Sequence, residues 1–331
     1  MLEPDETQDH DQIDQDGVVH TLFDRNALAR ARLRASDESK AAIDRMRVTG
    51  SQRRLVLVPD DFRERCKSLA EDFPNFSGYI ESSLLSSLAL AHARANPAER
   101  YIAFLPTVFL GPPGVGKTLF ANAVAEKFGL DFDRHNLEAS QASFELVGTS
   151  RGWSNSQPGK LFNWLADCGS GNGLFVCEEL DKASSDSRYP ILNTLIQLLE
   201  PTTSAAFTDM SLPDVKLDVS RLNWLFTANS LDGVSGPILS RLEVVEIPSL
   251  TAEQARRVAV KQYEGLLKTL NLSGDVPTPE LTEHGLAVLE RESPRRQRFL
   301  LMAAIGRAVA ERAQELHFER QRDSKPRIGF F

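Results

Sequence analysis

Residues 111–118 read Gly111-Pro112-Pro113-Gly114-Val115-Gly116-Lys117-Thr118, between an apolar run at residues 105–110 and a helix-favouring stretch. The three glycines allow a tight turn in which backbone N–H groups point inward at phosphate oxygens. A helix that begins near Gly116 adds its positive N-terminal end to the same place. Lys117 can then reach the β- and γ-phosphates, and the Thr118 hydroxyl can bind Mg²⁺. The stretch therefore predicts a phosphate-binding loop for ATP or GTP, extending to Leu119.

The composition is ordinary for a soluble globular protein. The chain has 331 residues, of which 41% are hydrophobic and 25% charged, and a net charge of −8. No apolar run approaches the roughly 18 residues that a membrane span needs, and the acidic N-terminus is unlike a secretory signal. The three cysteines are odd in number and widely spaced, which favours a reducing compartment. We expect a cytoplasmic protein without a membrane partner.

The chain is predicted to contain five segments. Residues 1–20 carry seven acids and no Lys or Arg, and they have too little apolar content to order themselves. Apolar residues then recur at helical spacing, as in Phe62, Cys66 and Leu69. The predicted segments are an acidic disordered tail (1–18), a helical N-terminal region (19–100), an α/β nucleotide-binding core (101–249), a helical lid (250–318) and a C-terminal tail (319–331).

Short β-type runs alternate with helical stretches after residue 105. This alternation predicts an α/β fold with a parallel sheet that helices cover on both faces. In the lid, the last helix is expected at 295–317, with Phe299, Met302 and Gly306 on its buried face. The predicted strands are 107–110, 174–177, 224–227 and 244–247, with a weaker one at 130–135.

Two adjacent carboxylates, Glu178 and Glu179, follow the apolar run at 174–177. Ligands of an open parallel sheet bind beyond the carboxyl ends of its strands, which is where these acids would lie. Alone, the pair would fit two solvated acids at a strand end. With a phosphate loop upstream, we expect Glu178 to hold Mg²⁺ through water and Glu179 to polarise the attacking water.

Further stretches match one known family. They are Glu178-Glu179-Leu180-Asp181-Lys182, Leu199-Glu200-Pro201 followed by Phe207-Thr208-Asp209, Leu225-Phe226-Thr227-Ala228-Asn229-Ser230, Pro237-Ile238-Leu239-Ser240-Arg241-Leu242-Glu243 and Ser293-Pro294-Arg295. Together with the phosphate loop they resemble an AAA+ ATPase, and within that superfamily the ATPase module of Lon-type proteases. The resemblance runs over residues 108–247, and more loosely to 313. It implies the AAA+ form of the P-loop NTPase fold, followed by an all-helical lid.

The resemblance also implies roles for residues beyond the loop. Asn229 would be the polar sensor near the γ-phosphate, and Arg241 would be the arginine finger that acts in trans on a neighbouring subunit. Arg295, with Arg296 next to it, would be the sensor of the lid. ATP with Mg²⁺ and a homo-oligomeric ring, usually of six subunits, follow from the same likeness. The simpler alternatives are a surface salt bridge between Arg241 and Glu243, and a solvated helix start at Arg295.

Two departures from the family pattern bear on activity. The first motif acid is usually aspartate, and Glu178 has one more methylene, so we expect hydrolysis with slow turnover. Residues 151–160 resemble the family's substrate-gripping pore loop. Trp153 keeps the aromatic residue, whereas Ser154 and Asn155 replace an aliphatic residue and a glycine. Trp153 is therefore a candidate client contact, and the alternative is that it packs on the core.

The sequence favours an oligomeric ATP hydrolase that remodels or translocates a protein client. The serine–lysine peptidase domain of Lon-type proteases is not expected in this chain, so a self-contained protease is not predicted. One alternative is a nucleotide-gated assembly switch with slow turnover. Another is a nucleic-acid motor or loader, which the nine bases against four acids at residues 21–58 favour and the overall acidic charge opposes. The client is not identified by the sequence.

Overall fold

The computed structural model describes residues 11–14, 17–138, 144–152, 156–183, 191–273 and 276–318. The chain forms two compact units. The first unit comprises residues 1–71, 76–111 and 117–247. The second comprises residues 72–75, 112–116 and 248–331. No described helix is both long and apolar enough to cross a lipid bilayer.

A five-stranded parallel sheet is the centre of the first unit. Its strands lie side by side in the order Phe132–Asn136, Leu174–Glu178, Asn223–Ala228, Thr107–Leu110 and Glu243–Glu246. It confirms the predicted α/β fold, because all five strands lie at or within two residues of the expected apolar runs. Buried side chains such as Val108, Phe175 and Phe226 line its faces, as expected for parallel strands covered on both sides. The strands are β4 (Thr107–Leu110), β5 (Phe132–Asn136), β6 (Leu174–Glu178), β7 (Asn223–Ala228) and β8 (Glu243–Glu246).

Helices accompany the sheet strands along the chain, and the apolar sides of Lys160–Asp167 and Ile191–Leu199 share a core with the sheet. Leu161, Phe162 and Leu165, for example, are fully buried in that core. The alternation of strand and helix is the pattern that the sequence predicts. These helices are α6 (Lys117–Phe128), α7 (Phe144–Val147), α8 (Lys160–Asp167), α9 (Ile191–Leu199), α10 (Pro201–Ser204) and α11 (Gly236–Leu239).

The sequence predicts that residues 19–100 are helical, but the structure also contains strands there. The first of these strands lies within the segment expected to be a disordered tail. A three-stranded antiparallel sheet forms from β1 (Asp11–Asp14), β2 (Gly17–Thr21) and β3 (Gln52–Arg54). Val18 and His20 are buried with the period of two of a strand, where the sequence predicts the end of the tail and the start of the helical region. Asp24 and Ser36 then cap two separate helices.

The helices of this part pack on the rest of the first unit. A π-helical turn at Ile80–Leu84 lies between the helices Ser77–Tyr79 and Leu85–His92. The helices are α1 (Arg25–Arg32), α2 (Asp37–Thr49), α3 (Phe62–Asp72), α4 (Ser77–Tyr79) and α5 (Leu85–His92).

Two buried asparagines join the N-terminal segments to the sheet. The Asn172 side chain accepts a hydrogen bond from the Val56 N–H at 2.8 Å and donates to the carbonyls of Val56 and Ile102, both at 3.0 Å. The Asn223 side chain accepts from the Phe104 N–H at 3.1 Å and donates to the Asn172 carbonyl at 2.8 Å. Each amide thus accepts from one backbone N–H and adds hydrogen bonds to carbonyls of neighbouring segments, and the Val56 carbonyl also accepts from the Ile102 N–H at 2.8 Å.

The second unit contains the predicted helical C-terminal region. Its helices are α12 (Ala252–Leu270), α13 (Glu283–Leu289) and α14 (Pro294–Glu311). Their core includes Leu289, Leu301 and Ile305. The expected buried face of α14 is wrong, because Phe299 is 60% exposed and Met302 43% exposed. Residues 299–305 are nearly all apolar, so spacing alone did not show which stripe faces the core.

The asparagine contacts predict a large effect of one substitution. Asn172→Ala removes three hydrogen bonds and takes away the acceptor of the Val56 N–H, whereas the Val56 and Ile102 carbonyls keep hydrogen bonds from the Ile102 N–H and the Asn223 amide. We expect it to lower the free energy of unfolding by about 3 kcal/mol, measured by urea denaturation. The exposed Asn122, which hydrogen-bonds to Glu126, is the matched control, and Asn122→Ala should change stability by less than about 0.5 kcal/mol. Equal effects of the two substitutions would contradict this role of Asn172.

Candidate nucleotide-binding site

The carboxyl ends of three neighbouring strands meet at one edge of the parallel sheet. β7 lies between β6 and β4, with Leu110 of β4 paired to Ala228 of β7. The next residues along the chain are Gly111 after β4 and Asn229 after β7, and β6 ends at Glu178. The predicted loop, carboxylates and sensor therefore begin at the same edge, as parallel pairing requires.

Lys117, the first residue of α6, is buried at this edge. Its Nζ donates hydrogen bonds to the Gly111 carbonyl at 2.5 Å and to Asn229 Oδ1 at 3.0 Å. The ammonium is thus held between the ends of β4 and β7. A positive charge at the N-terminus of a helix that follows a glycine-rich loop is suited to bind phosphate oxygens.

The loop before Lys117 has a backbone that favours glycine. Gly114 and Gly116 have φ values of +84° and +104°, in the left-handed region. At Gly111 a Cβ atom would collide with the carbonyl oxygen of Ile247. All three glycines of the motif are therefore required by the backbone itself.

Within the second unit, residues 112–116 of the loop contact two other segments. The Asn75 side chain donates to the carbonyls of Val115 and Pro248, both at 3.2 Å. A Cβ atom at Gly114 would lie 3.1 Å from Ser293 Oγ and 3.7 Å from the Cβ of Arg295. The start of α14, where Arg295 was expected to act, thus lies beside the loop.

The hydroxyl of Thr118 and the carboxylate of Glu178 meet directly. Thr118 Oγ1 donates to Glu178 Oε1 at 2.5 Å, and a guanidinium nitrogen of Arg134 lies 3.6 Å from the same oxygen. Hydroxyl and carboxylate oxygens are the hard ligands that Mg²⁺ prefers. These two side chains therefore fit a magnesium ion.

Glu179 has a constrained backbone and a perturbed carboxyl group. Its φ of 61° lies in the left-handed region, which a non-glycine residue rarely adopts, and its N–H donates to Thr227 Oγ1 at 3.2 Å. The pKa of Glu179 is raised, first by a hydrogen bond with Glu138 and then by burial, whereas a hydrogen bond with Asn136 acts in the opposite direction. Such strained, perturbed residues are frequent at functional sites.

Asp181 supports the sensor side of the site. Its Oδ1 accepts a hydrogen bond from the Asn229 N–H at 3.2 Å, and its carboxylate is almost fully buried. This contact fixes the backbone at Asn229, whose side chain binds Lys117. Two hydrogen bonds therefore join the chain after β6 to the end of β7, one from the Glu179 N–H to Thr227 and one from the Asn229 N–H to Asp181.

Comparison with known families agrees with this geometry. Residues 107–249 match the family described as "ATPase family associated with various cellular activities (AAA)". We call residues 107–249 the AAA domain after this match. The match includes the five sheet strands, the phosphate loop, both carboxylates, Asn229 and Arg241.

The AAA domain is similar to part of several Lon proteases. Lon protease 1 of Thermus thermophilus is 36% identical over 195 residues, which are 56% of this chain and 24% of that protein. Lon protease 1 of Myxococcus xanthus is 33% identical over 196 residues, again 56% and 24%. Lon protease 2 of Herpetosiphon aurantiacus is 35% identical over 153 residues, 46% of this chain and 19% of that protein. The matched region thus spans about a fifth to a quarter of these relatives.

Arg241 of the AAA domain does not pair with Glu243, the alternative that the sequence offered. Its guanidinium contacts Glu200 at 3.3 Å and the Pro237 carbonyl at 2.8 Å. Glu243 instead accepts hydrogen bonds from Ser83 and Thr107. None of these partners of Arg241 belongs to the phosphate loop or to the carboxylate pair.

The two lid arginines that the sequence proposed have different surroundings in the structure. Arg295 lies next to Gly114, as described above, whereas Arg296 has its guanidinium carbon 5.0 Å from the centre of the Phe299 ring. Leu119, at the end of the predicted loop, is 60% exposed. Trp153, the candidate client contact, lies outside the described residues.

Sequence reasoning missed four residues at the site: Asn75, Arg134, Glu138 and Thr227. Arg134 and Glu138 come close because β5 pairs with β6, with Asn136 opposite Glu178. The order of strands in the sheet was not derivable from spacing. Thr227 lies two residues before Asn229 in a predicted strand, so its closeness to β6 could have been inferred. Asn75, far upstream of the loop, had no sequence signal.

Lys117 should be required for nucleotide affinity. We expect Lys117→Ala to raise the Kd for ATP at least about tenfold, since a charge-assisted hydrogen bond contributes about 1.5–3 kcal/mol. Titration with a fluorescent ATP analogue measures this change. Lys127→Ala removes a lysine from the same helix, where it binds Ser68, and should leave the Kd unchanged. An unchanged Kd in Lys117→Ala would contradict the assignment.

The hydroxyl of Thr118 should determine the magnesium requirement. Thr118→Val keeps the shape and removes the oxygen, so we expect the Mg²⁺ concentration for half-maximal ATP turnover to rise about tenfold. Thr118→Ser keeps the oxygen and should stay near wild type. A magnesium titration of both variants tests this, and identical curves would show that the oxygen is not a ligand.

Proposed function

We propose that this chain binds ATP with Mg²⁺ and hydrolyses it, as a subunit of a homo-oligomer that remodels or translocates a protein client. The observation that carries the proposal is the convergence of Lys117, Thr118, Glu178 and Asn229 at one edge of the sheet, through contacts of 2.5 Å and 3.0 Å. These are the groups that phosphoryl transfer to water requires, since catalysis there rests on positioning and charge stabilisation.

Each residue has a role that follows from its place. Lys117 and the loop N–H groups would bind the β- and γ-phosphates of ATP, and Asn229 would hold Lys117 and contact the γ-phosphate. Bound through Thr118 and Glu178, Mg²⁺ would neutralise charge on the phosphate oxygens. Glu179, fixed by its strained backbone and by Thr227, would orient and polarise the attacking water. Arg295 beside Gly114 would contribute a positive charge from α14.

Arg241 would act on the nucleotide of a neighbouring subunit. Its partners within its own chain are Glu200 and Pro237, so a phosphate supplied by another subunit would compete only with a partly exposed ion pair, which is weak. A guanidinium stabilises the charge that develops on the γ-phosphate. The likeness to Lon proteases supports a ring, for which we propose six subunits.

The nature of the client rests on the relatives. The similar proteins are Lon proteases by name, and the AAA domain covers only part of each, so we propose a polypeptide client and Trp153 as a contact to it. We do not propose that this chain cleaves the client by itself.

The remaining features agree with a cytoplasmic protein that does not depend on nucleic acid. Cys66, Cys168 and Cys177 are buried and unpaired, in keeping with a reducing compartment. In the arginine-rich part of the N-terminal region, Arg32 and Arg47 pair with Asp44, and Arg53 is buried. This pairing reduces the positive patch that a nucleic acid would require.

A nucleotide-gated assembly switch with slow turnover is the second candidate. The observation that favours it is the ion pair between Arg134 and Glu178, together with glutamate in place of the usual aspartate. Both features would draw Glu178 away from the ion. In a switch, ATP binding alone would drive assembly, and hydrolysis would only reset it.

The test is the ATPase rate as a function of protein concentration for wild type, Glu179→Gln, Arg241→Ala and a mixture of the two variants. We expect the wild-type specific activity to rise with concentration and each variant to be inactive alone. In the mixture, a subunit with intact Glu179 meets a neighbour with intact Arg241 at about a quarter of the sites, by random assembly. The mixture should therefore recover part of the activity.

The ATPase test has one control variant, and its other outcomes each lead to a different conclusion. Arg32→Ala removes an ion-paired arginine of similar exposure far from the motif residues in sequence, and it should retain activity. A mixture without recovered activity would show that Arg241 does not act across subunits. Wild type that binds ATP, assembles and hardly turns over would favour the switch. Stimulation of the wild-type rate by an unfolded polypeptide would support a protein client.

A further inference from the structure

Hydrogen bonds join the residues on the two sides of the segment that carries Trp153. The Thr149 N–H donates to the Gln157 carbonyl at 3.0 Å, and the Gln157 N–H donates to Thr149 Oγ1 at 2.8 Å. Ser156 Oγ also donates to the Thr149 carbonyl at 3.1 Å. We call Gly148, Thr149, Ser156, Gln157 and Gly159 the neck.

One buried carboxylate lies in contact with both sides of the neck. Asp209, 1% exposed, accepts a hydrogen bond at Oδ2 from the Gly159 N–H at 2.8 Å. A Cβ atom at Gly148, whose φ is +85°, would collide with Asp209 Oδ1. A Cβ atom at Gly159 would collide with the backbone of Leu146 and Gly148. Glycine at position 148 thus makes room for the carboxylate, and glycine at position 159 makes room for the backbone of Leu146 and Gly148.

The segment after Asp209 continues the contact. The Met210 N–H donates to the Val147 carbonyl at 2.8 Å, and at the surface Arg151 pairs with Asp214 at 2.7 Å. Ser211 donates to Asp209 Oδ1 from both its N–H and its hydroxyl, at 2.9 Å and 2.6 Å. Val147, Arg151 and Gly159, which lie in or beside the neck, therefore contact the segment 209–214 at three places.

Burial of the Asp209 carboxylate costs free energy, and the turn that it forms with Ser211 does not by itself require this burial. Burial raises the pKa of Asp209 from 3.8 to about 6, against the hydrogen bonds of Ser211 and Gly159. Asp218 forms the same turn with Ser220, through bonds of 3.0 Å and 2.6 Å, but its side chain is 19% exposed. The more deeply buried copy, Asp209, is the one in contact with the neck.

We propose that Asp209 is a positioning residue that fixes the neck and thereby sets the position of the segment bearing Trp153. The part of this proposal that concerns the client rests on the function proposed above. Asp209 is far in sequence from the phosphate loop and from both catalytic carboxylates. Its loss should alter the response to a client and leave nucleotide binding intact.

The first test measures the neck without any client. Amide hydrogen exchange of residues 144–161 is followed by mass spectrometry in the full chain for wild type, Asp209→Asn and Asp218→Asn. We expect exchange in this peptide to become about tenfold faster in Asp209→Asn, because the Gly159 N–H loses its charged acceptor. Asp218→Asn, which breaks the same turn elsewhere, should match wild type. Unchanged exchange in Asp209→Asn overturns the proposal.

The second test separates positioning from a general structural role. In Asp209→Asn, the concentration of an unfolded polypeptide that gives half-maximal ATPase stimulation should rise about tenfold, with the basal rate and the Kd for ATP unchanged. A lower basal rate with the same half-maximal concentration overturns it. If wild type itself shows no stimulation, the proposed client function fails, whereas the exchange measurement still decides the role of Asp209.

Wild type decides the matter if Asp209→Asn does not fold. Protonation of Asp209 below about pH 6 weakens the acceptor of the Gly159 N–H. Exchange of that amide, relative to an unstructured peptide at each pH, should become severalfold faster between pH 7 and pH 5. The charged groups on the contacting segments are Arg151, Asp214, Lys160 and its partner Asp133. A constant relative rate overturns the proposal.

Discussion

Parallel pairing of β4 with β7 is the constraint on which the candidate site depends. Lys117 and Asn229 are far apart in sequence, yet the register of these strands brings their side chains to 3.0 Å. The pairing of β7 with β6 places the end of β6 at the same edge, so that Thr118 meets Glu178. Because parallel strands require long crossover connections, each added strand brings a distant part of the chain to this edge.

Much of this could be predicted, because the decisive signals are local. The spacing of Gly111, Gly114 and Gly116 follows from backbone geometry, and the φ values of the last two show why other residues would be strained there. The sheet strands are short apolar runs, which sequence patterns reveal well. The meeting of Glu178 with the loop required only the assumption that the strands are parallel.

Other features depend on long-range choices that the pattern does not contain. The stretch at 299–305 is apolar on more than one side, so only packing against α12 and α13 selects Leu301 and Ile305 as buried. Gly17–Thr21 forms a strand because Gln52–Arg54 is available as its partner. Arg241 pairs with Glu200 rather than Glu243 because Ser83 and Thr107 already bind Glu243. In each case the deciding residue lies far away in sequence.

The buried pair Asn172 and Asn223 shows that the domain defined by sequence similarity and the domain defined by packing begin at different residues. The family match starts at residue 107, whereas the two amides hydrogen-bond to Val56, Ile102 and Phe104. A shortened chain that starts at residue 107 would lose those partners. The Asn172 and Asn223 amides, and the part of the interior around them, would then be exposed to solvent. For expression of the isolated ATPase domain, the boundary is better placed before residue 55 than at the start of the family match.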